Sequence, residues 1–185
     1  IGQLLSNRGY AVFQTNFRGS TGHGRNYMLA SRGDYGNGRV QQDIVEGVRH
    51  LLAKGIGDPQ RVGIVGHSFG GYSTLLGVTF APELFKVGVA GAPPADFGWS
   101  MRWLVDAGDQ GALPDRSLVA TLRALSVDPA DPATYARLHA QSPVANVAQL
   151  RRPLLLLAGG ADRVVAIREV IHYAAQLRRA GKPVS

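Results

Sequence analysis

Residues 61–74, RVGIVGHSFGGYST, constrain the fold more than any other stretch of the chain. A short apolar run stops at a serine set among glycines. A second apolar run, GGYSTLLGVTF, begins at once. The first run is short, β-branched and bounded by glycine, which suits a strand; the second is long enough for a helix. With no loop between them, the strand must feed straight into the helix through a sharp, strained turn centred on Ser68.

The same alternation recurs along the chain. YAVFQTNF (10–17), RVGIVGH (61–67), KVGVAGA (86–92) and PLLLLAG (153–159) read as strands. VQQDIVEGVRHLLAKG (40–55) places Ile44, Val45, Val48, Leu51 and Leu52 on one helical face, with Gly55 as a C-terminal cap. GGYSTLLGVTF (70–80) reads as a helix ended by Pro82, and AIREVIHYAAQLRRAG (166–181) as one with Ile167, Val170, Ile171, Ala174 and Leu177 inward. PDRSLVATLRAL (114–125) and PATYARLHA (132–140) read as short helices in a less regular middle. Strands alternating with helices predict an α/β fold with a mostly parallel sheet. The strands are apolar throughout, so helices are expected on both faces.

Composition removes several functions. With 185 residues the chain suits one domain, and with no cysteine it has neither disulfides nor thiolate metal sites. A net charge of +7 invites a nucleic-acid reading, but the arginines are scattered and not interleaved with aromatics. A solvated basic surface is the expectation, with no nucleic-acid partner. No apolar run approaches the ~20 residues of a membrane span. The glycines of RGSTGHG run G-x-x-G-x-G, the reverse of a dinucleotide loop, and no G-K-[ST] occurs. H-E-x-x-H is absent too, so neither cofactor nor metal is expected. The compartment stays open. The chain starts at Ile1 in what reads as the tail of a helix, and stops at Ser185 where a strand is due. It reads as a segment of a longer protein.

Gly66, Ser68 and Gly70 fit G-x-S-x-G, with Gly71 extending it. Between a strand and a helix this reads as a nucleophile elbow of the kind found in α/β-hydrolases, the alternative being a structural glycine turn. Side chains at the glycine positions are expected to collide with the neighbouring strand and helix. The N–H of Phe69 then points where an oxyanion would form. Serine needs a base, and the base needs an orienting acid. The chain order in this fold is serine, acid, histidine. Asp162 lies just past the strand PLLLLAG, in a loop of small residues. The alternative for Asp162 is a cap on the next helix. Asp96, after the preceding strand, is a weaker candidate.

The histidine is the difficulty. Only His172 follows Asp162, and it sits inside a helix that should run away from the site. His67 adjoins the serine, but strand alternation points it elsewhere. His23, His50 and His139 precede the acid. The base is therefore expected beyond Ser185.

Taken together, these stretches resemble the prolyl oligopeptidase family of serine peptidases, in particular its acylaminoacyl peptidase and dipeptidyl peptidase branch. LLSNRGYAVFQTNFRGSTGHG is similar to that family's strand and R-G-S-x-G-x-G loop. DIVEGVRHLLAKGIGDPQRVGIVGHSFGGYSTL is similar to its helix, D-P-x-R-[IV] segment and elbow, and SPVANVAQLRRPLLLLAGGADRVV to its S-P segment and acid-bearing strand. The resemblance implies Ser68 as nucleophile, Phe69 as an oxyanion donor and Asp162 as the orienting acid, acting on a peptide substrate. It implies a substrate pocket lined by aromatics from PPADFGWSMRW, namely Phe97 and Trp99, with Trp103 as a further candidate. Ordinary core packing is the alternative for these rings. It also implies an α/β-hydrolase domain truncated at both ends, with a β-propeller and the H-G-G-P-type oxyanion strand before Ile1 and the histidine after Ser185. This chain departs from the family at Ala158-Gly159, where H-G is usual, and at Val164 and Ala166, which replace polar and proline positions. An esterase on the same fold and a non-catalytic interaction domain are the rival readings.

Overall fold

The computed structural model describes residues 1–109, 120, 122–128 and 131–185. Most of the helix expected over 114–125 lies outside the described residues. Among the described residues three parallel strands form the sheet: β1 (Gly63–His67), β2 (Val87–Gly91) and β3 (Leu154–Leu157), in the order β1-β2-β3. The register aligns Ile64 with Gly88 and Leu154, and Gly66 with Ala90 and Leu156. Backbone bonds from Leu154 and Leu156 to Pro183 and Ser185 extend the pairing on the far side of β3.

Among the described residues the helices include α1 (Gly2–Ser6), α2 (Arg25–Leu29), α3 (Arg39–Ala53), α4 (Phe69–Phe80), α5 (Phe97–Asp109), α6 (Pro132–Ala140) and α7 (Ile167–Arg179), with a 3₁₀ segment at Pro143–Gln149. Helix α4 is buried all round from Gly71 to Thr79, as a helix with no polar face must be. One side, Leu75 and Val78, joins Ala90 and Leu154 of the sheet, Val45 of α3, and Tyr173 and Leu177 of α7 in the main core. Its other side, Tyr72 and Leu76, packs on a second cluster with Tyr35, Phe97, Leu122, Val127 and Leu138. Helix α6 starts where Asp131 accepts the N–H groups of Ala133 and Thr134, with Pro132 at its first position.

Three expectations are corrected. Residues 10–17 are not a strand: no other strand among the described residues lies beside them to supply a ladder. Helices cover only one face of the sheet among the described residues. The row that points away, with Val65, Val87, Leu155 and Leu157, is exposed at 39–51%. Apolar character on both faces did not bring a second helical layer from this stretch of chain. In α7, Ile171 is exposed while Glu169, Val170, Tyr173, Ala174 and Leu177 are buried. The true stripe follows the 170-173-174-177 spacing, and the expected one was rotated about the helix axis.

Candidate active site

The sharp strand-to-helix turn is formed. Ser68 lies between the end of β1 and the start of α4 with φ 56° and ψ −120°, a conformation that costs a non-glycine residue of order 1–3 kcal/mol. Three constraints hold it there. The Ser68 N–H donates to the Gly91 carbonyl at 2.9 Å, tying the turn to β2. The Ser68 carbonyl accepts the Tyr72 N–H at 3.0 Å, starting the helix. The glycines supply room: a Cβ on Gly66 would overlap the Gly70 backbone, and one on Gly71 would come within 2.7 Å of the Gly91 oxygen. Gly70 differs from the expectation, because a Cβ there meets nothing within 4 Å. The Phe69 N–H is the first of α4, among the amides with no partner inside the helix.

Asp162 sits past β3 in a tight turn. Its Oδ1 accepts from the N–H groups of Val164 at 2.8 Å and Val165 at 3.0 Å. It does not cap the following helix, which starts at Ile167 behind Ala166. The two bonds fix the carboxylate within its own turn, and Val164 and Val165 of that turn line the same cleft as Ser68.

That cleft has a volume of about 240 Å³. Phe69, Phe97, Met101 and Leu122 furnish much of its wall. Phe97 is both wall and core. It is 5% exposed and stacks on Tyr72 and Tyr35, with centroids 5.0 and 5.4 Å apart. Trp99 is not brought to the cleft. It stacks on Trp103 at 5.8 Å, and the Arg168 guanidinium lies 4.7 and 4.5 Å from the two ring centroids. A second hollow of about 180 Å³ adjoins Phe69, between Tyr35 and the Phe17-Arg18-Gly19 turn. There Arg18 grips Asp43 through Nε and NH2, at 2.8 and 2.7 Å. The bonds from Arg18 hold the Asp43 carboxyl below its usual range.

None of the five histidines hydrogen-bonds Asp162. His67 is exposed, and His172 meets Gln176 on the outside of α7. His139 instead meets Asp96, Nδ1 to Oδ2 at 2.6 Å. Asp96, the weaker acid candidate, is thereby part of a buried polar cluster behind the cleft. Its N–H donates to Glu169 at 2.5 Å, and Ser100 Oγ donates to the other Glu169 oxygen at 2.5 Å. Burial pushes the Glu169 carboxyl up to about 7. Sequence reasoning missed Tyr35, Ser100 and Glu169. The signal for Glu169 was its place beside the 170-173-174-177 stripe. Among the described residues no group of three His, Asp or Glu could hold a metal ion, and no helix is long and apolar enough to cross a membrane.

Residues 2–185 match the prolyl oligopeptidase family. The chain belongs to that family. It is 33% identical over 162 residues to dipeptidyl aminopeptidase BIII of Pseudoxanthomonas mexicana, covering 86% of this chain and 22% of that protein. It is 30% identical over 182 residues to the acylamino-acid-releasing enzyme of Homo sapiens, covering 98% and 24%. The acylaminoacyl peptidase of Pyrococcus horikoshii superposes with a TM-score of 0.79 at 26% identity, covering 98% of this chain and 27% of that one. The chain thus spans about a quarter of the length of these family members. The fold is that of an α/β-hydrolase domain.

Proposed function

We propose that the protein is a serine peptidase that cleaves short peptides through an acyl-enzyme on Ser68. The observation that carries this is the backbone of Ser68, held at φ 56° at the mouth of an apolar cleft that the Asp162 loop also borders. A turn that stores strain at a lone hydroxyl beside a substrate-sized hollow serves chemistry better than packing. The names of the relatives, a dipeptidyl aminopeptidase and an acylamino-acid-releasing enzyme, support peptides over other acyl substrates.

In this reading Ser68 Oγ attacks the peptide carbonyl and passes its proton to a histidine. Asp162 holds the tautomer of that histidine and stabilises its cation. The Phe69 N–H and one further donor bind the oxyanion, each worth about 10²–10³ in rate. The histidine gives the proton to the leaving amine, and water then releases the acyl group. We assign the histidine to a segment after Ser185, and the second donor and a β-propeller to segments before Ile1. Phe97 forms part of the wall for the residue preceding the scissile bond.

The test is fluorophosphonate labelling of the full natural protein, read by intact mass and peptide mapping. One adduct on the Ser68 peptide, absent in Ser68→Ala, is expected, together with hydrolysis of short peptide amides. Labelling with ester but no amide hydrolysis would convert the reading to an esterase. No labelling would leave an interaction domain.

A further inference from the structure

The chain holds Asn7, Asn16, Asn26, Asn37 and Asn146, and of these only Asn37 is followed by glycine. Asn37 stands in the bend between Tyr35 and α3, outside any helix or strand, and is exposed. Among the described residues neither its side-chain amide nor the Gly38 N–H has a hydrogen-bond partner. Asn146, by contrast, donates its amide to the Ala140 and Ser142 carbonyls, each at 2.9 Å.

Asparagine is a thermolabile residue. Its side-chain carbon lies within reach of the next backbone nitrogen, and attack closes a five-membered ring. Gly38 offers a nitrogen with no Cβ beside it to hinder the approach. The Gly38 nitrogen bonds to Asn37 Cγ, its proton passes to solvent, and the amide group leaves as ammonia. Water then opens the cyclic imide. Opening at the side-chain carbonyl restores the normal backbone and leaves Asp. Opening at the backbone carbonyl routes the chain through the side chain and leaves isoaspartate.

The neighbours of Asn37 give the two products different consequences. Gly36 is buried, and a Cβ on it would overlap the Gln141 side chain. A Cβ on Gly38 would overlap Asp34 Oδ1. Asp34 in turn accepts the Arg39 N–H at 2.9 Å and Arg39 Nε at 2.5 Å. Tyr35 is buried, stacks on Phe97 and lines the cleft. An Asp at position 37 needs no backbone movement. Its charge lies at the start of α3, where the helix dipole favours it and Asp34 opposes it. An isoaspartate adds a methylene to the backbone between two closely packed glycines, and the segment has no slack to absorb it.

We propose that Asn37 is a site of spontaneous deamidation, and that its isoaspartyl product, not its aspartyl one, unseats Tyr35 from the wall of the cleft. Water is the only co-reactant, and the reaction is independent of the chemistry at Ser68.

The experiment incubates the full natural protein warm in mildly alkaline buffer, beside Asn37→Ser and Asn37→Asp. Peptide mapping that resolves Asp from isoaspartate follows the conversion. Asn37 is expected to convert first and to account for most of the conversion, with both products present. The peptides of Asn7, Asn16, Asn26 and Asn146 should stay amidated meanwhile. Conversion spread over all the asparagines overturns the assignment. So does a folded protein inert at Asn37 over the time in which urea-unfolded protein converts there. Brief digestion with chymotrypsin, which cuts after accessible tyrosines, reads the second part. Cleavage after Tyr35 should be absent in fresh wild type, in Asn37→Asp and in incubated Asn37→Ser. In the incubated wild type it should rise in step with the isoaspartyl fraction. Incubated wild type that resists at Tyr35 as fresh protein does overturns this part. Asn37→Asp that is cut there overturns it too, by assigning the change to charge. Neither readout uses the activity of Ser68, so both decide the proposal even where the peptidase reading fails.

Discussion

Gly71 of α4 lies so close to Gly91 of β2 that a Cβ on it would come within 2.7 Å of the Gly91 carbonyl oxygen. That contact lets the elbow helix seat on the sheet, with the same carbonyl accepting the Ser68 N–H. Gly71→Ala must push helix and strand apart, at a cost of about 1–3 kcal/mol by the usual scale of overpacking. Gly70→Ala meets nothing and removes a glycine from a helix, so it should be neutral or gain up to about 1 kcal/mol. Urea unfolding of the two variants separates them; equal losses would show that the elbow tolerates no Cβ anywhere.

The strain at Ser68 has its own consequence. A residue at φ 56° and ψ −120° is relieved by glycine, which has no Cβ to crowd the backbone. Ser68→Gly should therefore stabilise the fold by about 1 kcal/mol while abolishing fluorophosphonate labelling. A thermal melt against wild type reads the first effect and intact mass the second. A variant that loses both labelling and stability would mean that the hydroxyl, not the turn, holds the elbow.

The elbow was legible because strand, serine, glycines and helix are contiguous and each has a local requirement. The place of Asp162 in a turn just past β3 was legible from the order of strand and small residues. The polar cluster behind the cleft was not, because Asp96, Ser100, His139 and Glu169 come from four separated stretches that only the fold brings together. Trp99 and Phe97 looked equivalent in sequence. Two positions apart on a helix they face different ways, so one stacks under the cleft and the other meets Arg168. Residues 10–17 had strand composition, but a strand also needs a neighbour, and composition does not report one.

Arg18 donates its backbone N–H, Nε and NH2 to Asp43, anchoring the turn after residues 10–17 to α3. The pair is partly exposed, at 29% and 24% for the side chains, so its worth is modest. Asp43→Asn should cost about 1 kcal/mol at neutral pH. The folded-state carboxyl is depressed, so this contribution is present above the unfolded Asp value and fades as pH falls through the folded one. Denaturant titrations of wild type and variant should differ at neutral pH and converge in acid. A gap that persists in acid would assign the loss to packing.

Glu169 should act on stability with the opposite sign. Its folded carboxyl is raised from 4.5 to about 7, chiefly by burial, with Asp96 adding repulsion. Between those values the folded state binds the proton more tightly than the unfolded chain does. Stability from this group therefore falls as pH rises through that window and levels off above it. A shift of that size corresponds to at most about 3 kcal/mol, less whatever the Asp96 and Ser100 bonds lose on rearrangement. Glu169→Gln carries no charge and should flatten this part of the curve. Relative to wild type, the variant should be more stable at about pH 8 than at about pH 5. Parallel curves for the two proteins across that range would place the titration of Glu169 outside it, and would show that its two short hydrogen bonds hold the carboxylate ionised despite burial.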